Sequence, residues 1–120
     1  MQDKAVVQDI ARLLYDRKGE RIVALDIRKL TPIADYMIIA SGRNTNQVKA
    51  LADDVDDRMN ELGIPARRSE GQSEGRWVVL DYGNFLVEIF HREEREFYQL
   101  ERLWEDADNR VELGFDADAD

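Results

Sequence analysis

The sequence predicts one α/β domain, a sandwich of helices around a mixed β-sheet with the element order α-β-β-α-β-β-β-α. Three segments carry apolar residues at helical spacing, and short apolar runs typical of strands lie between them. At 120 residues, of which 43% are hydrophobic, the chain has the length of a single domain and can bury a modest core. No apolar run approaches the roughly 20 residues that a membrane-spanning helix needs.

The N-terminal third predicts a helix and two strands. Residues 3–18 carry Val6, Ile10, Leu13 and Leu14 at helical spacing. Gly19 offers this helix a C-terminal cap. The segment RIVALDI, residues 21–27, is rich in β-branched residues and predicts a strand. Pro32 interrupts the chain. The continuous apolar run DYMIIASG, residues 35–42, then predicts a buried central strand.

The second helix is predicted to begin at Asn44 or Thr45. Gln47 is placed to close a capping box back onto Asn44. Gly63 and Pro65 end the helix. Its predicted buried stripe consists of Val48, Leu51, Ala52, Val55, Met59 and Leu62.

Three strands and a helix are predicted in the C-terminal half. PARRS, residues 65–69, reads as a short edge strand, and the polar loop SEGQSEG follows it. WVVLD and FLVEIF are two further strands, joined at Tyr82-Gly83. A final helix is predicted over about residues 92–104. Its predicted core residues are Phe97, Leu100 and Trp104.

The two faces of the predicted hairpin differ in chemistry. If Tyr82-Gly83 is a two-residue turn, Asp81 lies opposite Asn84 and Trp77 lies opposite Glu88. One face is then wholly apolar and predicted to face the core: Val78, Leu80, Phe85, Val87 and Ile89. The other face mixes large apolar groups with acids: Trp77, Val79, Asp81, Asn84, Leu86, Glu88 and Phe90. Either the final helix or the tail covers this mixed face, or it is a protein-docking surface.

The charge of the chain is uneven. The formal net charge is −9, and residues 105–120 contribute seven acids and one arginine to it. The sequence therefore predicts a globular domain over residues 1–104 and a disordered acidic tail over 105–120. This balance disfavours nucleic acid as the sole partner and suits a basic protein. With no cysteine, disulfides and thiolate sites are excluded, and a cytoplasmic location is expected.

The sequence gives little support for a catalytic site. His91 is the only histidine, and none of the serines lies in a Gly-x-Ser-x-Gly elbow. His91 with Glu93 and Glu94 lacks the second histidine or cysteine that a typical site for zinc would have. No metal or cofactor is expected. The alternative is a small nucleotide- or phosphoester-processing enzyme that uses Ser41-Gly42 and the carboxylates of the second helix. Nucleotidyl transfer, however, needs alternating carboxylates on a strand. The carboxylates here, Asp53, Asp54, Asp56 and Asp57, lie within the predicted second helix, so their spacing does not suit that chemistry.

Three motifs, DYMIIASG, WVVLDYGNFLVEIF and HREEREFYQLERLW, resemble the ribosomal silencing factor family, also called the Iojap-related family. The resemblance implies a nucleotidyltransferase-like fold without enzymatic activity. It implies a translation repressor that binds the free large ribosomal subunit through its protein number fourteen and sterically blocks joining of the small subunit. A role in maturation of the large subunit is also implied, while a peripheral ribosomal RNA contact and a homodimer are left open.

On this resemblance, the mixed hairpin face and the start of the final helix form the docking surface. Trp77 is predicted as its apolar anchor. Acidic groups are predicted to face basic groups of the partner, tyrosines to supply amphipathic contacts, and His91 and Arg95 to position the junction or to hydrogen-bond to the partner. The predicted partner-binding residues are Trp77, Asp81, Tyr82, Glu88, His91, Glu94, Arg95 and Tyr98.

Overall fold

Five strands form one mixed sheet, with two long helices on one face and a short helical corner on the other. The computed structural model describes residues 3–115. Its elements are α1 Asp3–Asp16, β1 Glu20–Asp26, β2 Tyr36–Gly42, α2 Thr45–Glu61, β3 Arg68–Glu70, β4 Trp77–Asp81, β5 Phe85–His91, α3 Arg92–Tyr98 and α4 Glu101–Trp104. The predicted mixed α/β fold is confirmed, with the final helix divided in two. The likeness to nucleotidyltransferases stays a prediction.

The strand order across the sheet is β1-β2-β5-β4-β3. β2 and β5 run parallel, and the other neighbouring pairs are antiparallel. Every residue of β2 is buried, because both of its edges are paired and both faces of the sheet are covered at this strand. The continuous apolar run that predicted a central strand therefore reflects burial on two sides. None of the helices within residues 3–115 is long and apolar enough to cross a membrane.

The main core lies between one face of the sheet and the helices α1 and α2. Its buried members include Val6, Ile10 and Leu14 of α1 and the α2 residues Val48, Leu51, Val55 and Met59. Leu13 and Leu62 pack at its margin. The sheet contributes the predicted apolar hairpin face, namely Val78, Leu80, Phe85, Val87 and Ile89. Helical and strand periodicity thus identified the residues of this core correctly.

Two predicted helix caps differ in detail from the structure. Beyond the end of α1 it is Lys18, with φ 69°, that adopts the left-handed conformation. Gly19 serves another need, because its amide donates to the Leu14 carbonyl at 2.7 Å and a Cβ at position 19 would lie 2.8 Å from that oxygen. At α2, Asn44 accepts from the Gln47 amide as predicted, but the Gln47 side chain accepts from the amide of Arg43.

The hairpin register differs by one position from the predicted turn. Trp77 pairs with Phe90 rather than Glu88, and the Tyr82 amide donates to the Phe85 carbonyl at 3.0 Å. The two residues of the turn are therefore Gly83 and Asn84, with Gly83 at φ 89°. Partners shift by two residues in total, so each side chain keeps its predicted face.

The second face of the sheet carries a smaller core that the C-terminal segments cover. Leu100 and Trp104 pack against it together with Trp77 and Leu86, while Phe90 is fully buried within it. The prediction that Phe97 belongs to the core was wrong, since its exposed fraction is 79%. Gln99 adopts a left-handed φ of 48° and turns the chain between α3 and α4, so Phe97 does not share one helix face with Leu100 and Trp104 as predicted.

Residues 105–115 pack on the domain, unlike the disordered tail that composition predicted, and residues 109–111 lie along β1. Arg110 forms an isolated antiparallel bridge with Leu25. The Asp26 amide donates to the Asn109 carbonyl, and the Val111 amide donates to the Ala24 carbonyl, both at 2.8 Å. These backbone bonds satisfy the outer edge of β1. The rest of the predicted tail, residues 116–120, lies outside the described residues.

Candidate functional site

Three aromatic rings meet where β4 joins the helical corner. The Trp77 ring stacks on buried Phe90 with centroids 4.8 Å apart, and Tyr98 packs against Trp77 at 5.0 Å. Phe97 lies edge-on to Tyr98 at 4.9 Å. Trp77 is half-buried, whereas Tyr98 and Phe97 are exposed to 50% and 79%. We call Trp77, Phe97 and Tyr98 the aromatic surface. Such a cluster with one anchored and two open rings is typical of a protein interface.

Glu88 holds the indole of Trp77 in place. The Trp77 Nε1–H donates to Glu88 Oε1 at 3.0 Å, and Glu88 lies on the middle strand of the sheet with an exposed fraction of 5%. Burial raises the pKa of the Glu88 carboxyl, and the hydrogen bond from Trp77 opposes that rise. The predicted residue Glu88 is therefore chiefly a support for Trp77.

His91 caps the helix that carries the aromatic rings. Its Nδ1 accepts from the Glu93 amide at 3.1 Å, which satisfies one of the free donors at the start of α3. A neutral His91 in this role carries its proton on Nε2. Histidine is an unusual N-cap, so this role had no signal in the sequence.

The carboxylates beside His91 are held by an arginine. Arg76 Nη2 lies 2.8 Å from Glu94 Oε1 and 3.4 Å from Glu93 Oε2. Ligand atoms of His91, Glu93 and Glu94 come within 4.8 Å of one another. These three residues do not fit a metal cation, however. The guanidinium of Arg76 already pairs with both carboxylates, and the imidazole Nδ1 of His91 accepts a hydrogen bond from an amide.

Arg95 lies inside the protein with an exposed fraction of 2%, and its three hydrogen bonds all go to groups of this chain. Burial lowers the pKa of its guanidinium, and the nearby carboxylate of Glu101 acts in the opposite direction. A direct hydrogen bond from Arg95 to a partner is therefore not available in this conformation. Of the two roles predicted for it, positioning is the one that fits.

Tyr82 and Asp81 separate from the aromatic surface. Tyr82 is buried in the main core on the opposite face of the sheet, and its hydroxyl donates to Asp56 Oδ1 at 3.0 Å. Burial raises the pKa of that hydroxyl. Tyr82 as a docking residue is thus contradicted by its position. Asp81 is half-buried at the far end of β4, where it accepts from the Gly83 amide at 2.8 Å.

The residues of the alternative enzyme site do not come together. Ser41 is buried, and its hydroxyl accepts from Arg95 Nη1 at 2.8 Å. Asp53 lies eight residues into α2, roughly 12 Å along the helix axis from its start. Asp54 pairs with Arg17, and Asp56 accepts from Tyr82. These carboxylates therefore do not gather around Ser41-Gly42.

Sequence reasoning missed the exposure of Phe97 and the role of Arg76. A signal for the first was present, because Phe97 and Tyr98 are consecutive and two consecutive helical residues point in different directions. One of them had to face away from the core. Leu103 and Trp104 repeat this pattern in α4, where Leu103 is exposed and Trp104 packs on the sheet.

Comparison with known proteins gives consistent matches over most of the chain. The family model described as "Ribosomal silencing factor during starvation" matches residues 1–120. The Bacillus subtilis (strain 168) protein named "Ribosomal silencing factor RsfS" is 39% identical over 107 residues, which cover 89% of this chain and 91% of that protein. A crystal structure of a Chromobacterium violaceum protein superposes with a TM-score of 0.84 at 34% identity, covering 95% of this chain and 97% of that one.

A more distant relative carries a different name. The mouse protein "Mitochondrial assembly of ribosomal large subunit protein 1" is 26% identical over 98 residues, which cover 79% of this chain and 43% of the mouse protein.

Proposed function

This chain belongs to the ribosomal silencing factor family, and we propose that it represses translation by binding the free large ribosomal subunit. A domain bound on the face that meets the small subunit excludes that subunit by its volume. Repression of this kind needs affinity and size but no chemistry. The names of the relatives support the proposal, since the bacterial one refers to ribosomal silencing and the mouse one to the large subunit.

The aromatic surface is the observation that carries the docking part of the proposal. Trp77 is fixed from below by Phe90 and from the side by Glu88, so its open face is already ordered before a partner arrives. Phe97 and Tyr98 extend that face into solvent. Fully burying an aromatic side chain stabilises a complex by about 1.5–3 kcal/mol, and a surface of this kind is rarely left open without a partner.

The charge of the chain indicates which partner suits this surface. The net charge is −9, and the half-buried carboxylate of Glu94 lies on α3, the helix that also carries Phe97 and Tyr98. We propose that the partner is large-subunit ribosomal protein number fourteen, as the family resemblance implies, and that it presents basic side chains around an apolar centre. Ribosomal RNA then lies at the periphery, where phosphates repel the chain.

Co-sedimentation with separated large subunits tests the proposal, with Phe97→Ala and Tyr98→Ala as the informative variants. Both side chains are exposed, so truncation removes contact area without opening the core. Ile33→Ala is the matched control. Ile33 is 72% exposed, but it lies just before the start of β2, at the end of the sheet away from the aromatic surface. Trp77→Ala is a less clean probe, since it also takes the hydrogen-bond donor away from Glu88.

We expect the unmodified chain to travel with large subunits and to reduce the assembled-ribosome peak when small subunits are added. Phe97→Ala and Tyr98→Ala should each weaken binding about 10- to 100-fold, with unchanged thermal unfolding, and Ile33→Ala should bind normally. A chain that stays at the top of the gradient would contradict the proposed function. Normal binding by both aromatic variants would move the docking surface elsewhere.

A further inference from the structure

A single buried guanidinium joins four elements of the fold. Arg95 belongs to α3, and its Nη1 donates to Ser41 Oγ of β2 at 2.8 Å. Its Nη2 donates to the Arg21 carbonyl of β1 at 2.7 Å, and its Nε donates to the carboxylate of Glu101 in α4. Burying a charge at this depth costs free energy of desolvation, which these three hydrogen bonds offset.

Arg95 binds next to two residues whose backbone is in the left-handed region. Arg21 has φ 49° at the irregularity of β1 between Glu20 and Val23, and its carbonyl is the acceptor for Arg95. Gln99 has φ 48° and separates α3 from α4, and Glu101 follows it by two residues. Residues other than glycine rarely adopt this backbone conformation unless surrounding contacts hold them there. Arg95 supplies such contacts to both turns.

The aromatic surface depends on the position of these short helices. Phe97 and Tyr98 follow Arg95 on the same seven-residue helix, and α4 has only four residues. Helices this short are not stable by themselves, so tertiary contacts fix where they lie. Tyr98 meets Trp77, which belongs to β4, only if α3 keeps its place on the sheet.

We propose that Arg95, paired with Glu101, is a positioning residue for docking on the large subunit. It touches no partner, and it locks α3 and α4 so that Phe97 and Tyr98 form one surface with Trp77. This inference rests on the proposed function. Docking on the large subunit then depends on a buried ion pair as well as on the exposed rings.

The sharpest variant is Glu101→Gln, which removes the negative charge that faces Arg95 and leaves the bonds from Arg95 to Ser41 and Arg21 in place. Arg95→Met is the second variant, and it breaks all three bonds at once. Asp9→Asn is the matched control. Asp9 pairs with Arg58 across α1 and α2 at 3.0 and 3.2 Å, on the other face of the sheet.

Two measurements separate positioning from a general loss of stability. The chain has no cysteine, so Arg102→Cys gives a unique attachment point for a spin label on exposed α4. The electron paramagnetic resonance spectrum of the label then reports the mobility of the helical corner, and thermal unfolding reports global stability. Binding to purified large subunits is measured with the unlabelled variants.

We expect Glu101→Gln to raise the mobility of the label and to weaken large-subunit binding about tenfold, while Asp9→Asn changes neither. Arg95→Met should act in the same direction and more strongly. Normal binding by Glu101→Gln, or weaker binding with an unchanged spectrum, would overturn the inference. If the unmodified chain does not bind large subunits, the proposed function fails and the docking role of Arg95 falls with it, whereas a mobile label in Glu101→Gln still demonstrates the lock.

Discussion

Glu88 illustrates how a single residue can serve order at the expense of stability. Its carboxylate is buried in the sheet, and the donor that it meets is the neutral indole of Trp77 rather than a cation. Burial without a compensating charge penalises the ionised form, which is why the pKa of Glu88 is raised. The protein tolerates this cost in return for a fixed Trp77.

We predict that Glu88→Gln stabilises the fold at neutral pH. A pKa raised in the folded state means that the folded chain holds the Glu88 proton more tightly than the unfolded chain does. The resulting stabilisation is full below the ordinary pKa of 4.5 and is lost as pH rises through the folded-state value. Glutamine keeps an acceptor for Trp77 and has no charge, so it should gain about 1 kcal/mol near pH 7.

Urea unfolding from about pH 4 to pH 8 checks this prediction, with exposed Glu70→Gln as control. The advantage of Glu88→Gln over the unmodified chain should shrink as the pH falls. A variant that is less stable at every pH would indicate that the Glu88 charge has a stabilising partner.

At the residue scale, the sequence predicted some roles and could not predict others. Trp77 and Tyr98 were predicted as partner contacts because aromatic groups among charged residues are typical of interfaces, and the structure brings their rings together at 5.0 Å; their docking role stays a prediction. Arg95 was predicted, on the family resemblance, to position the junction or to hydrogen-bond to the partner, and the sequence did not indicate that it is buried. Its burial depends on Ser41 and the Arg21 carbonyl, which lie 54 and 74 residues away in the chain.

At the scale of elements, periodicity predicted the type of each segment well and its end less well. Helix and strand periods depend on which side chains face a core, and that pattern is written along the chain. Breaks depend on single backbone angles. Gln99 and Lys18 adopt left-handed angles that usually belong to glycine, so nothing in their side chains marks the division of the final helix or the true turn after α1.

We predict that Lys18→Gly stabilises the protein by about 1 kcal/mol, because it relieves the cost of a side chain at φ 69°. Asp53→Gly, at an exposed position inside α2, should have the opposite sign and a smaller size, about 0.3 kcal/mol, since aspartate is itself a poor helix former and lies close to glycine on the helix scale. Thermal unfolding of both variants measures the difference. A destabilised Lys18→Gly would mean that the lysine side chain makes contacts worth more than the strain.

At the scale of the whole molecule, an acidic chain is proposed to bind a particle that consists largely of RNA. The two partners of such a particle, basic protein and phosphate, affect an acidic ligand with opposite signs. The net charge of −9 therefore makes salt a sensitive probe of which one the docking surface faces.

We predict that affinity for the large subunit falls about tenfold between roughly 50 and 300 mM salt, because attraction to a basic protein is screened. The penalty of Phe97→Ala should stay nearly constant over the same range, since apolar burial is not screened. Binding titrations at several salt concentrations measure both effects. Affinity that rises with salt would mean that the docking surface faces phosphate instead of a basic protein.

The two edge strands of the sheet, β1 and β3, determine how readily one copy of the chain could pair with another. β3 is a three-residue, fully exposed strand with charged ends, a poor template for strand addition. The seven-residue strand β1 would be a good one, but residues 109–111 occupy its outer edge from Ala24 to Asp26. The segment that composition predicted to be a disordered acidic tail thus protects this part of β1 from strand addition. A chain cut after Trp104 should lose it, open β1 to its own copies, and pass from a monodisperse preparation to an aggregating one.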